Sequence, residues 1–233
     1  MIEVQKKVLL IDNDPQCNST SIIGATSKQN TLYSLLSQET ISDQCNLSDF
    51  ISTTPFEKLW CLPNSLDSSG NSLFFTQNFP DSLFYLRNKI RNQAIEKFDY
   101  TIIDCPPTLD TPLGMALCAS DAIIIPVEVG SMHSIDGLNH VLELVSAMQQ
   151  FNPELTFLKL VMNKADRRTA ISKAMITEIQ ENYPEKYFET ILPICTAVQQ
   201  AEYLRKTLFS HAPTINMIST YKSLAKELIE VTK

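Results

Sequence analysis

The sequence is poor in glycine. There are five glycines in 233 residues (Gly24, Gly70, Gly114, Gly130, Gly137). None precedes a lysine, so the phosphate-cradling pattern G-x-x-x-x-G-K-[ST] occurs nowhere. The six cysteines (Cys17, Cys45, Cys61, Cys105, Cys118, Cys195) form no C-x-x-C pair. With no secretory leader pattern ahead of them, they read as reduced, mostly buried thiols of a cytosolic protein. Neither they nor His133, His140 and His211 have zinc-ligand spacing, which argues against a structural zinc site. No apolar run approaches the ~20 residues that span a bilayer. The net charge of −7 excludes a globally basic nucleic-acid binder and leaves room only for local basic patches. Charged residues make up 19% of the chain and no tract is of low complexity, which argues against disorder.

What is present suits a single α/β domain over residues 1–233, with 44% hydrophobic residues to fill its core. The stretch Val8–Ile11 is apolar without alternation, the mark of a strand buried on both faces of a parallel sheet. It runs into Asp12-Asn13-Asp14-Pro15-Gln16. Open α/β sheets deliver acidic side chains to a crevice in this way, at the carboxyl ends of their strands. Asn18–Ser21 reads as a loop, Thr31–Leu36 and Leu47–Ile51 as short helices, and Leu59–Leu62 as a strand. Residues 64–78 read as an irregular loop. A helix opens at Pro80-Asp81-Ser82, with Leu83, Leu86, Ile90 and Ala94 at helical spacing. Strands are expected at Phe98–Ile103, Ala122–Pro126, Leu155–Met162 and Phe188–Leu192. Helices are expected at Leu109–Ala119, Ser134–Gln150, Ile171–Glu181 and Met217–Val231. The alternation predicts a mostly parallel sheet with helices on both faces.

Three stretches carry chemistry. Phe98–Asp104 is an apolar strand ending in an acid, the form in which a Walker B strand presents an Asp to Mg²⁺ beside a nucleotide's phosphates. Many α/β strands end in Asp, and Asp12 read alone could simply cap the loop that follows it. Asn163-Lys164-Ala165-Asp166 spells N-K-x-D, which can read guanine or can be a plain strand-exit turn. Arg167, Arg168 and Lys173 form one basic cluster. Arg205 and Lys206, with Lys222 and Lys226, are candidates for another. Phosphate contacts from such residues carry no sequence code and weaken with salt, whereas a solvated helix face has the same composition.

Val8–Ser21 (VLLIDNDPQCNSTS), Phe98–Pro107 (FDYTIIDCPP) and Ala116–Glu128 (ALCASDAIIIPVE), in this order, resemble the ParA-type partition ATPases of the deviant Walker group, to which the MinD proteins also belong. Ser134–Leu138 and Asp166–Thr169 fit the same family, and the likeness runs from Lys6 onward. The resemblance implies a nucleotide-binding fold of the phosphate-loop type, with ATP and Mg²⁺ as cofactors. It assigns Asp14 to positioning the attacking water, Asp12 to the magnesium shell and Asp104 to the Walker B acid. It places Asn163 and Pro193 near the base, which favours ATP over GTP. Its implied partners are non-specific DNA, contacted by Arg205, Lys206, Arg167 and Arg168, and a centromere-binding protein. A homodimer when nucleotide-loaded, and a cytoplasmic, nucleoid-associated location, are implied as well.

The departure from the family lies at the start. The family's first strand, its Lys-Gly-Gly-x-Gly-Lys-Thr loop and most of its first helix have no counterpart, and residues 1–6 look like the tail of that helix. On this resemblance Met1 is expected to be an internal methionine of a truncated or late-started chain, and ATP hydrolysis by the chain as given is expected to be very slow or nil. The lost strand belongs near the middle of the sheet, so its neighbours' edges should be open. Two other readings stand beside this one. One is a degenerate, non-catalytic ParA-like interaction protein. The other is a MinD-like membrane-associated switch, against which the mixed charge of the last helix (Lys222, Lys226, Glu227, Glu230) argues.

Overall fold

A computed structural model describes residues 5–25, 30–37, 46–66, 72–131 and 133–233. The chain forms two compact units, residues 1–120 and 121–233.

In the first unit, β1 (Val8–Asp12) is the central strand of a four-stranded sheet ordered β2-β3-β1-β4, with β2 at Ser52–Thr53, β3 at Leu59–Leu62 and β4 at Tyr100–Asp104. β1 pairs in parallel with β3 and with β4, and only the short β2 runs antiparallel. The unbroken apolar run of β1 is accounted for by its position: Val8, Leu9 and Ile11 are all buried. Leu9 and Ile11 pack into a core with Leu32, Leu35 and Leu36 of α2 (Leu32–Leu36), Leu86, Ile90 and Ala94 of α4 (Tyr85–Lys97) and Met115 of α5 (Thr111–Ala119). Thr31 caps α2 through a reciprocal pair of hydrogen bonds with Ser34.

The second unit holds β5 (Ala122–Glu128) and β6 (Thr156–Asn163), paired in parallel with one irregularity at Ile123/Ile124. Leu138 of α6 (His133–Met148) and Met175 and Ile179 of α7 (Ala170–Asn182) cover this sheet with Ile125, Val127, Leu160 and Met162. A second cluster gathers Val161 and Phe188 with Leu208 of α9 (Leu208–His211) and Met217 and Ile218 of α10 (Asn216–Val231). The apolar face of α10 is therefore spent on the core of its own unit, as expected of a docked helix.

The α/β class and the mostly parallel pairing agree with the sequence. Four local readings are corrected. Asn18–Ser21 is not a loop but most of the one-turn helix α1 (Asn18–Ile22), entered through a left-handed Cys17 with φ 57°. Within residues 64–78 a helix forms, α3 (Ser72–Gln77), which the polar composition hid; residues 67–71 of that stretch lie outside the described residues. The strand expected at Phe188–Leu192 is reduced to single parallel bridges, Leu160 with Tyr187 and Ala165 with Pro193. Backbone bonds from Phe188 N–H to Leu160 and from Leu192 N–H to Met162 hold the segment beside β6 without a regular ladder. The segment after Pro193, given no element from sequence, contains α8 (Thr196–Tyr203) and α9.

Among the described residues β4 has a ladder only with β1, and β5 only with β6. The exposure of Thr101 and Ile102 in β4 is that of an edge strand, although their sequence reads as interior.

Candidate functional site

β1 and β4 end side by side, and register makes Asp12 and Asp104 direct partners across the two strands. Carboxylates that are distant in sequence meet because parallel neighbours terminate at the same sheet edge.

Asp12 is fully buried. Its Oδ2 accepts from the Thr20 backbone N–H at 2.7 Å and from the Thr20 hydroxyl at 2.6 Å. Its Oδ1 accepts from the Asp14 N–H at 3.3 Å. The Asp104 Oδ2 accepts from the Ser19 hydroxyl at 2.5 Å. The Asp104 carbonyl accepts from the Asn13 N–H at 2.9 Å, and the Asn13 amide donates to the Pro112 carbonyl at 2.9 Å, tying the end of β1 to the start of α5. Asp14 is half-buried, and its carboxylate accepts from the Gln16 N–H at 2.8 Å, which shapes the turn into α1. Burial pushes the Asp12 carboxyl above its ordinary value, the Thr20 donors pull it back, and the charge of Asp104 pushes it up again.

Two carboxylates at adjacent strand ends are a hard-oxygen donor set. Mg²⁺ is commonly held by one or two carboxylates and completes its shell with water and phosphate oxygens, so Asp12 and Asp104 fit that ion. No group of three or more His, Cys, Asp and Glu side chains forms a metal cage among the described residues. Thiolate ligation is disfavoured here. Burial, then the neighbouring acids, raise Cys17 to about 11 and Cys61 and Cys105 to about 12, so these thiols are protonated at neutral pH. The five cysteines among the described residues are free, two buried and three half-buried; Cys45 lies outside them. Ser19 and Thr20 are the site residues that sequence reasoning missed. Nothing local marks them, because their partners belong to two different strands.

In the second unit, the C-terminal end of β6 brings Asn163, Ala165 and Pro193 together. The Asn163 carbonyl accepts from Val129 N–H at 2.8 Å, and Ala165 bridges Pro193. The Asn163 Oδ1 accepts from the Lys164 N–H at 2.9 Å. Lys164 turns the chain at φ 53°, and its Nζ pairs with Glu128 at 2.7 Å. The Asp166 carboxylate is gripped by Arg168, whose Nε and terminal nitrogen lie 2.9 and 2.8 Å from its two oxygens. These bonds hold Asp166 down at about 2, well below the usual carboxylate range.

Arg167 and Lys173 are exposed. Arg205, at φ 50°, and Lys206 are exposed just past α8, while Lys226 is exposed and Lys222 half-buried on α10. Beside Arg205 lie exposed Tyr203, Leu204 and Phe209, which composition gave no reason to expect at the surface. A shallow cavity of about 310 Å³ opens there, lined by Thr196, Gln199, Gln200, Tyr203, Leu204 and His211. No helix of the described residues is long and apolar enough to cross a membrane.

Comparison with known proteins places this geometry. A family model described as AAA domain matches residues 1–157. The sporulation initiation inhibitor protein Soj of Bacillus subtilis (strain 168) is 29% identical over 229 residues, covering 97% of this chain and 87% of Soj. Among solved structures, apo McdA of Cyanothece superposes with a TM-score of 0.79 at 22% identity, over 97% of this chain and 89% of that one. Cobyrinic acid a,c-diamide synthase from Mycobacterium smegmatis, with an ATP analog and magnesium bound, gives a TM-score of 0.71 at 23% identity, over 88% of this chain and 82% of that one. An acid pair at adjacent parallel strand ends, an α/β fold shared with those structures and a family match over most of the chain converge on one assignment: this chain belongs to the AAA domain family, as a member of the ParA-type partition ATPases.

Proposed function

We propose that the chain is a partition protein for plasmid or chromosome segregation, built as one nucleotide-binding domain over residues 1–233 and acting as an ATP-dependent dimerising switch. The observation that carries this reading is the Asp12–Asp104 pair at the ends of adjacent parallel strands, with Asp14 two residues on. Asp12 and Asp104 would hold Mg²⁺. The ion would neutralise charge on the phosphates, and the protein's own part is positioning. Asp14, half-buried in the turn after β1, is the residue proposed to orient the attacking water. Asn163 and Pro193 are the proposed base contacts. The bidentate hold of Arg168 on Asp166 supports ATP over GTP, because a carboxylate already engaged on both oxygens is a poor acceptor for guanine.

Arg205, Lys206 and Arg167 are the proposed contacts to non-specific DNA. Arg168 contributes less, because Asp166 offsets its charge. The remaining partners are a second copy when nucleotide is bound and a protein that recognises a centromere-like site, in a cytoplasmic, nucleoid-associated setting. The use of the apolar face of α10 within its own core supports a non-membrane role.

A second reading, a non-catalytic ParA-like interaction protein, is favoured by one observation: no glycine–lysine phosphate loop occurs in these 233 residues. Such a loop supplies most of the backbone donors to phosphate, so ATP turnover by this chain is expected to be very slow or nil. Titration with a fluorescent ATP analog, with and without Mg²⁺, separates the two readings. Mg²⁺-dependent binding that is lost in Asp104→Asn supports the switch. No binding under either condition leaves the interaction protein.

A further inference from the structure

Ser19 and Thr20 are adjacent on one turn of α1, yet their hydroxyls reach carboxylates on two different strands. Thr20 is the more constrained. Its Oγ1 accepts from the Asn64 N–H at 3.1 Å, just past the end of β3. With that acceptor position used, the hydroxyl proton is directed to the Asp12 Oδ2, 2.6 Å away. The Thr20 backbone N–H meets the same oxygen at 2.7 Å. Two donors on one oxygen fix the rotation of the Asp12 carboxylate and use up the acceptor capacity of Oδ2. The other oxygen, Oδ1, has only the longer 3.3 Å contact with the Asp14 N–H. Ser19 acts similarly on Asp104, engaging Oδ2 at 2.5 Å.

We propose that Thr20, with Ser19 beside it, is a positioning residue for the divalent cation of the acid pair: the two hydroxyls occupy the Oδ2 atoms of Asp12 and Asp104 and so assign the Oδ1 atoms to the ion. This rests on the acid-pair reading above and names the residues that make it work. The chain Asn64 N–H to Thr20 hydroxyl to Asp12 also links the ends of β3 and β1, so one side chain sets both the carboxylate's rotation and the spacing of the strands that carry it.

The test is Mn²⁺ titration, followed by the paramagnetic resonance signal of free Mn²⁺, on wild type, Asp12→Asn, Thr20→Val, Thr20→Ser and Ser19→Ala, with circular dichroism to establish folding. Thr20→Val removes the hydroxyl at constant volume and should weaken Mn²⁺ binding by about tenfold or more, the usual effect of removing a partner that orients a ligand. Thr20→Ser keeps both donors and should bind Mn²⁺ within about twofold of wild type, while folded Thr20→Val, with an unchanged circular dichroism spectrum, separates lost metal affinity from lost structure. Ser19→Ala should weaken binding by a smaller factor. Folded Thr20→Val that binds Mn²⁺ as wild type does overturns the proposal. Should Thr20→Val fail to fold, Ser19→Ala decides, with unchanged affinity refuting and reduced affinity supporting. Failure of the acid-pair reading looks different: wild type binds no Mn²⁺, or Asp12→Asn binds it equally well, and the proposal falls with it.

Discussion

Glu227 offers the sharpest test of how the second unit is held together. Its side chain leaves α10 and accepts two backbone donors from the segment beside β6, Glu189 N–H at 2.7 Å and Thr190 N–H at 3.1 Å. That segment has no regular ladder, so these bonds bear on its position and hence on Leu192 and Pro193. A hydrogen bond to a charged group is worth about 1.5–3 kcal/mol when well shielded. The Glu189 bond is exposed and the Thr190 bond only partly buried, which brings each to roughly 1 kcal/mol. Glu227→Ala should therefore destabilise by about 2 kcal/mol, or a fall of about 4–8 °C in Tm for a domain of this size. Glu227→Gln is the informative control. Its amide offers one acceptor oxygen and turns a donor toward the other N–H, so at most one bond survives. Urea unfolding gives the total effect, and hydrogen exchange at the Glu189 and Thr190 amides localises it. A loss under about 0.5 kcal/mol in Glu227→Ala, with exchange at both amides unchanged, would refute the reasoning.

Arg168→Ala should return the Asp166 carboxyl from about 2 toward its ordinary value near 4, read by carbon-13 chemical shift during an acid titration. The sign follows from the depressed value: the stabilising contribution is present above the unfolded value and is lost as pH falls through about 2. Cys61 is buried, and its thiol is raised to about 12, so it should resist iodoacetamide at neutral pH in the native protein and react once unfolded; rapid native labelling would contradict its burial. Leu9→Ala opens the fully buried centre of the first core and should cost about 3–5 kcal/mol, measured by chemical denaturation. Arg205→Ala should weaken DNA binding about equally across sequences and shallow its salt dependence, which filter binding at two salt concentrations will read.

Local patterns carried much of the fold. The uninterrupted apolar run of Val8–Ile11 marked a central strand, in which Val8, Leu9 and Ile11 are buried and Leu10 half-buried, and the helical spacing of Leu86, Ile90 and Ala94 marked a packed face, which is buried. The expected helix ends are set within a few residues by Thr31 and Thr169, whose side chains cap α2 and α7. Where local signals misled, tertiary contacts had overridden them. Asn18–Ser21 has the composition of a loop, yet it turns as helix α1 while two of its side chains bond to acids on separate strands. Phe188–Leu192 has strand composition but follows the irregular edge of β6, where Glu227 supplies acceptors that a regular partner strand would otherwise provide.

The candidate site divides along the same line. By itself the sequence determined that acids follow two apolar strands, at Asp12, Asp14 and Asp104, because an apolar run ending in a carboxylate is a local property of the chain. Tertiary structure alone decided that Asp12 and Asp104 stand opposite one another, since parallel register is a relation between segments far apart in sequence. It also decided that Asp12 is fully buried, and that Ser19 and Thr20 hold one oxygen of each acid. Hydrogen bonds of that kind depend on which strands become neighbours, and no pattern within a single segment encodes them.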